Sequence, residues 1–176
     1  MTTRVAFLRA VNVGKRRVVN ARLVELFGEL GYTDVWTHIN SGNVVFDAPG
    51  SRAALEATIG SAIERDVGFE VTTFVRSAAE LRRIRDERPF EVGPGDTYFV
   101  TFLKAPLPAA GVAELEGLSN DMDTLVVRGR DVHWRMHGKS TDTTIPQKDW
   151  ARVAGKLQTT SRNMNMLRKL LDKMAG

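Results

Sequence analysis

Residues 34–47 read DVWTHINSGNVVFD, and this stretch decides the fold. Two apolar-rich runs, 34–39 and 44–47, flank the residues 40–43, whose side chains favour turns. Asn, Ser and Gly readily adopt the backbone angles of a tight turn, and short runs rich in β-branched and aromatic residues are typical of strands. The stretch therefore predicts a β-hairpin.

The segments on either side of this hairpin complete a structural unit. Before it, residues 4–9 have a strand pattern, and Asn20 is predicted to cap a helix that stops at Gly31. After it, Ser51 is predicted to cap a second helix, and residues 71–75 form a fourth strand pattern. The order β-α-β-β-α-β is that of a split βαβ, or ferredoxin-like, unit.

The second half of the chain returns to a related order. A helical pattern at 77–88 leads to the Gly-Pro-Gly loop 93–95, which is the best boundary between subdomains. Strand, helix and hairpin patterns then follow at 98–103, 109–118 and 124–136. Two helices, at 148–157 and from about Thr160 onward, are predicted to end the chain. The second half thus repeats β-α-β-β and then differs.

These patterns predict an α+β fold, an α/β sandwich of two ferredoxin-like subdomains, residues 1–92 and 93–176, the second ending in C-terminal helices. Hydrophobic residues at 43% and charged residues at 26% are close to globular averages, so the core needs no cofactor. The absence of cysteine excludes disulfides, thiolate catalysis and cysteine-ligated metals.

The sequence also predicts a cytoplasmic protein without a membrane partner. No stretch approaches the roughly 20 apolar residues that cross a bilayer. Residues 1–10 have a strand pattern where a signal peptide would place its apolar region. We expect a monomer or weak dimer.

Charge is distributed unevenly along the chain. Residues 1–24 contain six bases and no acid, and residues 151–176 contain six bases and one acid, Asp172. The two ends carry +6 and +5, so with a net charge of +4 the middle carries −7. If the fold brings the ends together, they would steer an anionic partner; the alternative is scattered, solvated charge.

Three separated motifs resemble one known family. Residues 7–15 read FLRAVNVGK, residues 40–46 read NSGNVVF, and residues 160–163 read TSRN. In that order they resemble the motifs of the bacterial family catalogued as domain of unknown function 1697. The resemblance implies two ferredoxin-like subdomains and supplies no reaction. Departures are Ala10 for a glycine, Ser161 for a threonine, and Met164 where the family commonly has an aromatic residue.

The strongest candidate site is the basic stretch 12–17. A strand, a glycine-bearing turn and a helix present backbone N–H groups and a positive helix end to an anion, and Lys15, Arg16 and Arg17 add charge. It is not a P-loop, since that spacing requires a glycine where Arg9 stands and a hydroxyl where Arg16 stands. The alternative is a solvated turn in which Asn12 bonds the local backbone.

We predict a basic cleft between the subdomains as the ligand site. Its residues are Arg9, Asn12, Gly14, Lys15, Ser41, Asn43, Arg162 and Asn163. Arg162 and Asn163 are expected in the first turn of the last helix, where an anion would be stabilised, or else fastening the two subdomains. Ser41 and Asn43 have the alternative role of shaping a hairpin tip.

Conventional catalytic and metal patterns are weak, and we expect neither a metal nor another cofactor. His133 and His137 fall on one face of a strand that is expected to face solvent, and no third ligand stands at a recognisable spacing. Asp121 and Asp123 are expected to be solvated in a polar loop. His38 is the only plausible general base near the first hairpin.

Three functions remain open. The first is binding of a phosphate-bearing ligand, nucleic acid included; an RNA platform is disfavoured because the first strand offers only Phe7. The second is an enzyme acting on a small anionic substrate, held by Arg9 and Arg162, with His38 or a carboxylate moving a proton. The third is a protein–protein interaction module.

Overall fold

The computed structural model describes residues 2–9, 11–39, 42–155 and 159–176. The chain divides into two compact units, Met1–Leu81 and Arg82–Gly176. The domain boundary predicted between residues 92 and 93 stays a prediction.

The first unit is a four-stranded antiparallel sheet with two helices. Its strands are β1 (Thr2–Leu8), β2 (Thr33–Thr37), β3 (Asn43–Ala48) and β4 (Thr73–Ser77), and its helices are α1 (Asn20–Glu29) and α2 (Arg52–Val67). The sheet order is β2-β3-β1-β4, with β1 between β3 and β4. This is the topology of a ferredoxin-like unit, as predicted from the hairpin and its flanks.

One face of this sheet packs on the two helices. Alternate residues of β1, Ala6 and Leu8, lie in the same cluster as Phe27 of α1 and Ile59 of α2. Ser51 caps α2, its Oγ accepting from the Ala54 N–H at 3.2 Å, which confirms the prediction.

The predicted cap of α1 is wrong by one residue. Val19 holds the N-cap position, Asn20 is the first helical residue, and no side chain caps the helix. Gly31 follows the end of α1 with φ of +83°, as expected for a glycine stop.

The second unit has the same order of elements. Helix α3 (Ala78–Glu87) spans the division between the units. There follow β5 (Thr97–Leu103), α4 (Ala109–Glu116), β6 (Asp123–Arg128), β7 (Asp131–Met136), α5 (Gln147–Ala154), β8 (Thr159–Asn163) and α6 (Met164–Ala175). The sheet is antiparallel with order β6-β7-β5-β8, so the α+β class with two ferredoxin-like units is confirmed.

Strand β8 corrects one sequence expectation. A helix was expected to open near Thr160, but Thr160 pairs with Phe102 in β8, and α6 begins only at Met164. The second unit therefore completes β-α-β-β-α-β and then adds α6, as the first unit is followed by α3. Leu157, the predicted end of the preceding helix, lies outside the described residues.

Candidate functional site

The loop between β1 and α1, residues 11–19, is called the basic loop here. Val11 and Val18 are buried and anchor it, while residues 12–17 are all exposed. Those exposed residues include three cations, Lys15, Arg16 and Arg17, and no acid. The loop therefore concentrates positive charge on a segment anchored at both ends.

Hydrogen bonds within the basic loop fix its shape. Asn12 Oδ1 accepts from the Val18 N–H at 3.1 Å, and the Arg16 N–H donates to the Val13 carbonyl at 3.1 Å. Gly14 has φ of +62°, a left-handed conformation that favours glycine. Arg17 Nη1 donates to the carbonyl of Gly14 at 3.0 Å. Asn12, Gly14 and Arg17 thus shape the loop.

The electrostatics of the basic loop favour an anion. It leads into α1, whose first turn contains no acidic residue and whose N-cap, Val19, offers no side-chain bond. The N-terminus of a helix carries a partial positive charge from its unbonded N–H groups. Lys15 and Arg16 add two exposed cations beside it. The Arg16 guanidinium lies over the Phe69 ring, with Cζ 4.8 Å from the ring centroid.

The basic loop leaves the sheet at the end where the β2–β3 hairpin turns. The N–H of Leu8 donates to the Gly42 carbonyl at 2.9 Å, and the N–H of Arg9 donates to the Thr72 carbonyl at 2.9 Å. Arg9 is partly buried there. The structure thus places the predicted residues Arg9, Asn12, Gly14, Lys15 and Asn43 in the first unit. Ser41 lies outside the described residues.

Asn43 closes the hairpin. It is 5% exposed, its Nδ2 donates to the His38 carbonyl at 3.1 Å, and its own carbonyl accepts from the His38 N–H at 3.0 Å. These bonds match the turn-shaping alternative. The His38 residue is itself only 9% exposed, which works against its exchanging a proton with a substrate.

Arg162 and Asn163 lie in the second unit, at the end of β8. The expectation that they occupy the first turn of a helix is wrong: Arg162 pairs with Val100, and Asn163 is the N-cap of α6. Arg162 Nη1 donates to Thr160 Oγ1 at 2.7 Å, and burial lowers the pKa of Arg162 to about 10. The guanidinium therefore stays charged at neutral pH.

The ends of β4 and β8 are equivalent positions of the two units, which the sequence analysis missed. Arg76 pairs with Val5 as Arg162 pairs with Val100. Each guanidinium donates to the carbonyl of the residue before it. Arg76 Nη1 lies 3.0 Å from the Val75 carbonyl, and Arg162 Nη1 lies 2.9 Å from the Ser161 carbonyl. The strands read TFVRS at 73–77 and TTSRN at 159–163, so a Thr-x-x-Arg-Ser/Asn repeat was the available signal.

A buried polar network in the second unit was also missed. His133 is fully buried, so its expected solvent exposure is wrong. Its Nε2 lies 2.8 Å from Glu87 Oε2, and its Nδ1 lies 2.5 Å from the Tyr98 hydroxyl. Because a carboxylate only accepts, Nε2 carries the proton of the neutral ring and Nδ1 accepts from Tyr98. Glu87 is in turn paired with Arg83, which also reaches Asp131.

Burial governs the protonation of this network. It lowers the pKa of His133 below its usual value, although Glu87 and Asp131 act in the opposite direction. It also raises the pKa of Tyr98 to about 12. At neutral pH the tyrosine and the histidine are therefore both neutral.

Asp123 corrects another expectation, since it is fully buried rather than solvated. Its Oδ1 accepts from Trp134 Nε1 at 2.8 Å and from the Thr143 hydroxyl at 2.9 Å. Its Oδ2 accepts from the Thr144 N–H at 3.1 Å and the Thr144 hydroxyl at 3.3 Å. This carboxylate joins β6 and β7 to the segment before α5, which is a structural role.

Comparison with known proteins identifies the family. The model of DUF1697, described as a protein of unknown function, matches residues 1–133. The chain belongs to the DUF1697 family. A solved structure of the conserved bacterial protein SP0830 from Streptococcus pneumoniae is similar over 100% of this chain and 99% of that one, with a TM-score of 0.72 and 21% identity. At this identity the likeness shows the fold alone. No curated protein matches this DUF1697 chain.

The described part of this DUF1697 chain gives two further negative findings. Among residues 2–9, 11–39, 42–155 and 159–176, no group of three His, Cys, Asp or Glu side chains could hold a metal ion. Within the same ranges, no helix has both the length and the apolar character needed to span a bilayer.

The sheet face that ferredoxin-like RNA platforms expose is buried in this DUF1697 protein. Such platforms stack bases on exposed aromatic side chains of the central strands. Phe7, the aromatic residue of the central strand β1, is fully buried, and so is Phe74 of β4. The basic loop at the end of the sheet is therefore the better candidate site in the first unit.

Proposed function

We propose that this DUF1697 protein binds phosphate-bearing anions through the basic loop. The observation that carries the proposal is the exposed, acid-free segment 12–17, with three cations, leading into the uncapped N-terminus of α1. Phosphate oxygens accept hydrogen bonds from both lysine and arginine, and helix N-termini stabilise anions. The buried anchors Val11 and Val18 support the proposal, because they fix the backbone of the loop at both ends before a ligand arrives.

Removing two exposed cations of the basic loop tests this proposal. The double variant Lys15→Ala/Arg16→Ala is expected to bind pyrophosphate about tenfold more weakly than the wild type, because charge-assisted contacts to phosphate are lost. Isothermal titration calorimetry at low salt measures the difference. Asn12, Gly14 and Arg17 are kept so that the loop retains its internal hydrogen bonds.

The matched control removes two exposed cations elsewhere. Arg82 in α3 and Lys148 in α5 are both exposed and lie outside the basic loop. The variant Arg82→Ala/Lys148→Ala is expected to bind pyrophosphate like the wild type. If both double variants bound pyrophosphate equally weakly, the loss of affinity would come from net charge alone, and the proposal would be wrong.

That Arg162 and Asn163 contribute to binding this anion remains a prediction. It rests on the basic character of both chain ends and on the resemblance of residues 160–163 to the family's motif. Arg162→Gln should weaken pyrophosphate binding in the same titration if Arg162 contacts the anion. An unchanged affinity would remove Arg162 from the site.

A further inference from the structure

We infer that the anion is a nucleoside phosphate, free or within a single strand, whose base stacks on Phe69 in the place now taken by Arg16. The inference rests on the proposed anion binding and adds the chemical class of the ligand. Its basis is the contact between the Arg16 guanidinium and the Phe69 ring.

Phe69 is a fixed ring beside the basic loop. It follows Gly68, which ends α2 in a left-handed conformation with φ of +78°, and it precedes the buried Val71. The ring is half-buried and packs against the helix-facing core of the first unit. Core packing therefore holds the ring, while the flexible, exposed Arg16 side chain lies over it.

The arrangement allows Arg16 and a base to exchange places. An exposed cation–π contact is weak, and a base stacked on an aromatic ring is held more strongly. Once displaced, the Arg16 guanidinium is free to pair with the phosphate of the same ligand, beside Lys15. One side chain would thus shield the ring when the site is empty and bind the phosphate when it is occupied.

This geometry discriminates among phosphate ligands. Inorganic phosphate and ribose 5-phosphate have no base to stack. A duplex keeps its bases paired and stacked inside, so it could reach only the cations. A ligand with a free base should therefore gain affinity that the others lack.

The test compares AMP with ribose 5-phosphate, which differ by the base. The wild type is expected to bind AMP about tenfold more tightly, the magnitude of stacking one base on an aromatic side chain. Phe69→Leu should remove this difference while leaving ribose 5-phosphate binding unchanged. Phe69→Trp, with a larger ring, should increase it. Calorimetry measures both ligands, and circular dichroism confirms that each variant is folded.

Phe90 supplies a matched control in the second unit. It too is half-buried beneath an arginine, with Arg135 Cζ 5.5 Å from its ring centroid. Phe90→Leu should keep the preference for AMP, and loss of the preference in Phe90→Leu would overturn the assignment to Phe69.

A labelled oligoadenylate and its duplex distinguish a single strand from free nucleotide. If the single strand binds more tightly than AMP, and Phe69→Leu weakens that binding, the ligand is a strand.

The outcomes separate the two proposals. Equal binding of AMP and ribose 5-phosphate, weakened by Lys15→Ala/Arg16→Ala, would overturn the stacking inference and leave anion binding standing. No binding of AMP, ribose 5-phosphate or pyrophosphate would overturn both.

Discussion

Replacing Asp123 by alanine is expected to lower the free energy of unfolding by about 3–4 kcal/mol. The fully buried carboxylate accepts bonds from Trp134 Nε1, the Thr143 hydroxyl, and the N–H and hydroxyl of Thr144. Without it these donors have lost their acceptor, and an unsatisfied buried polar group costs about 1–3 kcal/mol. Urea unfolding followed by circular dichroism gives the value.

Asp121 provides the control for this measurement. It lies two residues before Asp123, has the same carboxyl side chain and is exposed. Asp121→Ala is expected to change the free energy of unfolding by no more than about 0.5 kcal/mol. Similar values for the Asp121 and Asp123 variants would mean that the network around Asp123 contributes nothing.

Replacing His133 by phenylalanine is expected to lower the free energy of unfolding by about 2–3 kcal/mol near neutral pH. Phenylalanine fills a similar volume but leaves the Tyr98 hydroxyl without its acceptor and Glu87 without one donor. The exposed His137, which bonds Asp96 at 2.9 Å, is the matched control. His137→Gln should stay within about 0.5 kcal/mol of the wild type.

The effect of His133→Phe should also depend on pH. Because burial lowers the pKa of His133 in the folded protein, the unfolded chain takes up a proton first as the pH falls below about 6.5. The free energy of unfolding of the wild type then falls. The phenylalanine variant has no histidine at this position and does not show this loss. The difference between the two should therefore be largest above about pH 7 and shrink toward about pH 5. A difference that is constant, or that grows on acidification, would contradict the depressed pKa.

Several elements of the fold could be predicted because local chemistry determines them. The Ser51 cap, the glycine stop at Gly31 and Asn43 of the first hairpin each act within a few residues of sequence. The first β-α-β-β-α-β order follows from these signals. Predicting these elements requires no knowledge of contacts between segments that are distant in the sequence.

Strand β8 could not be recognised from its own pattern. Its residues, TTSRN, include no large apolar side chain, and they form a strand because they pair with β5. Pairing between segments far apart in sequence overrides weak local preference. Comparison with TFVRS in β4 would have supplied the missing signal.

The buried polar side chains were misjudged for a related reason. The side of β7 that carries His133 is expected to face water, but Glu87 of α3 lies there and bonds His133. A polar side chain can be buried when its donors and acceptors have hydrogen-bond partners. For His133 one partner, Glu87, lies 46 residues away in the sequence. In the candidate site, the charges of the basic loop were predictable, whereas the contact of Arg16 with Phe69 required the fold.

Amide chemical shifts of isotope-labelled protein titrated with pyrophosphate test the central claim most directly. Binding at the basic loop predicts that the largest shifts occur at residues 12–18 and in the first turn of α1, and that they weaken as salt rises. In Lys15→Ala/Arg16→Ala the same shifts should require about tenfold more pyrophosphate. Shifts confined to other segments, or unchanged in that variant, would contradict the assignment of anion binding to the basic loop.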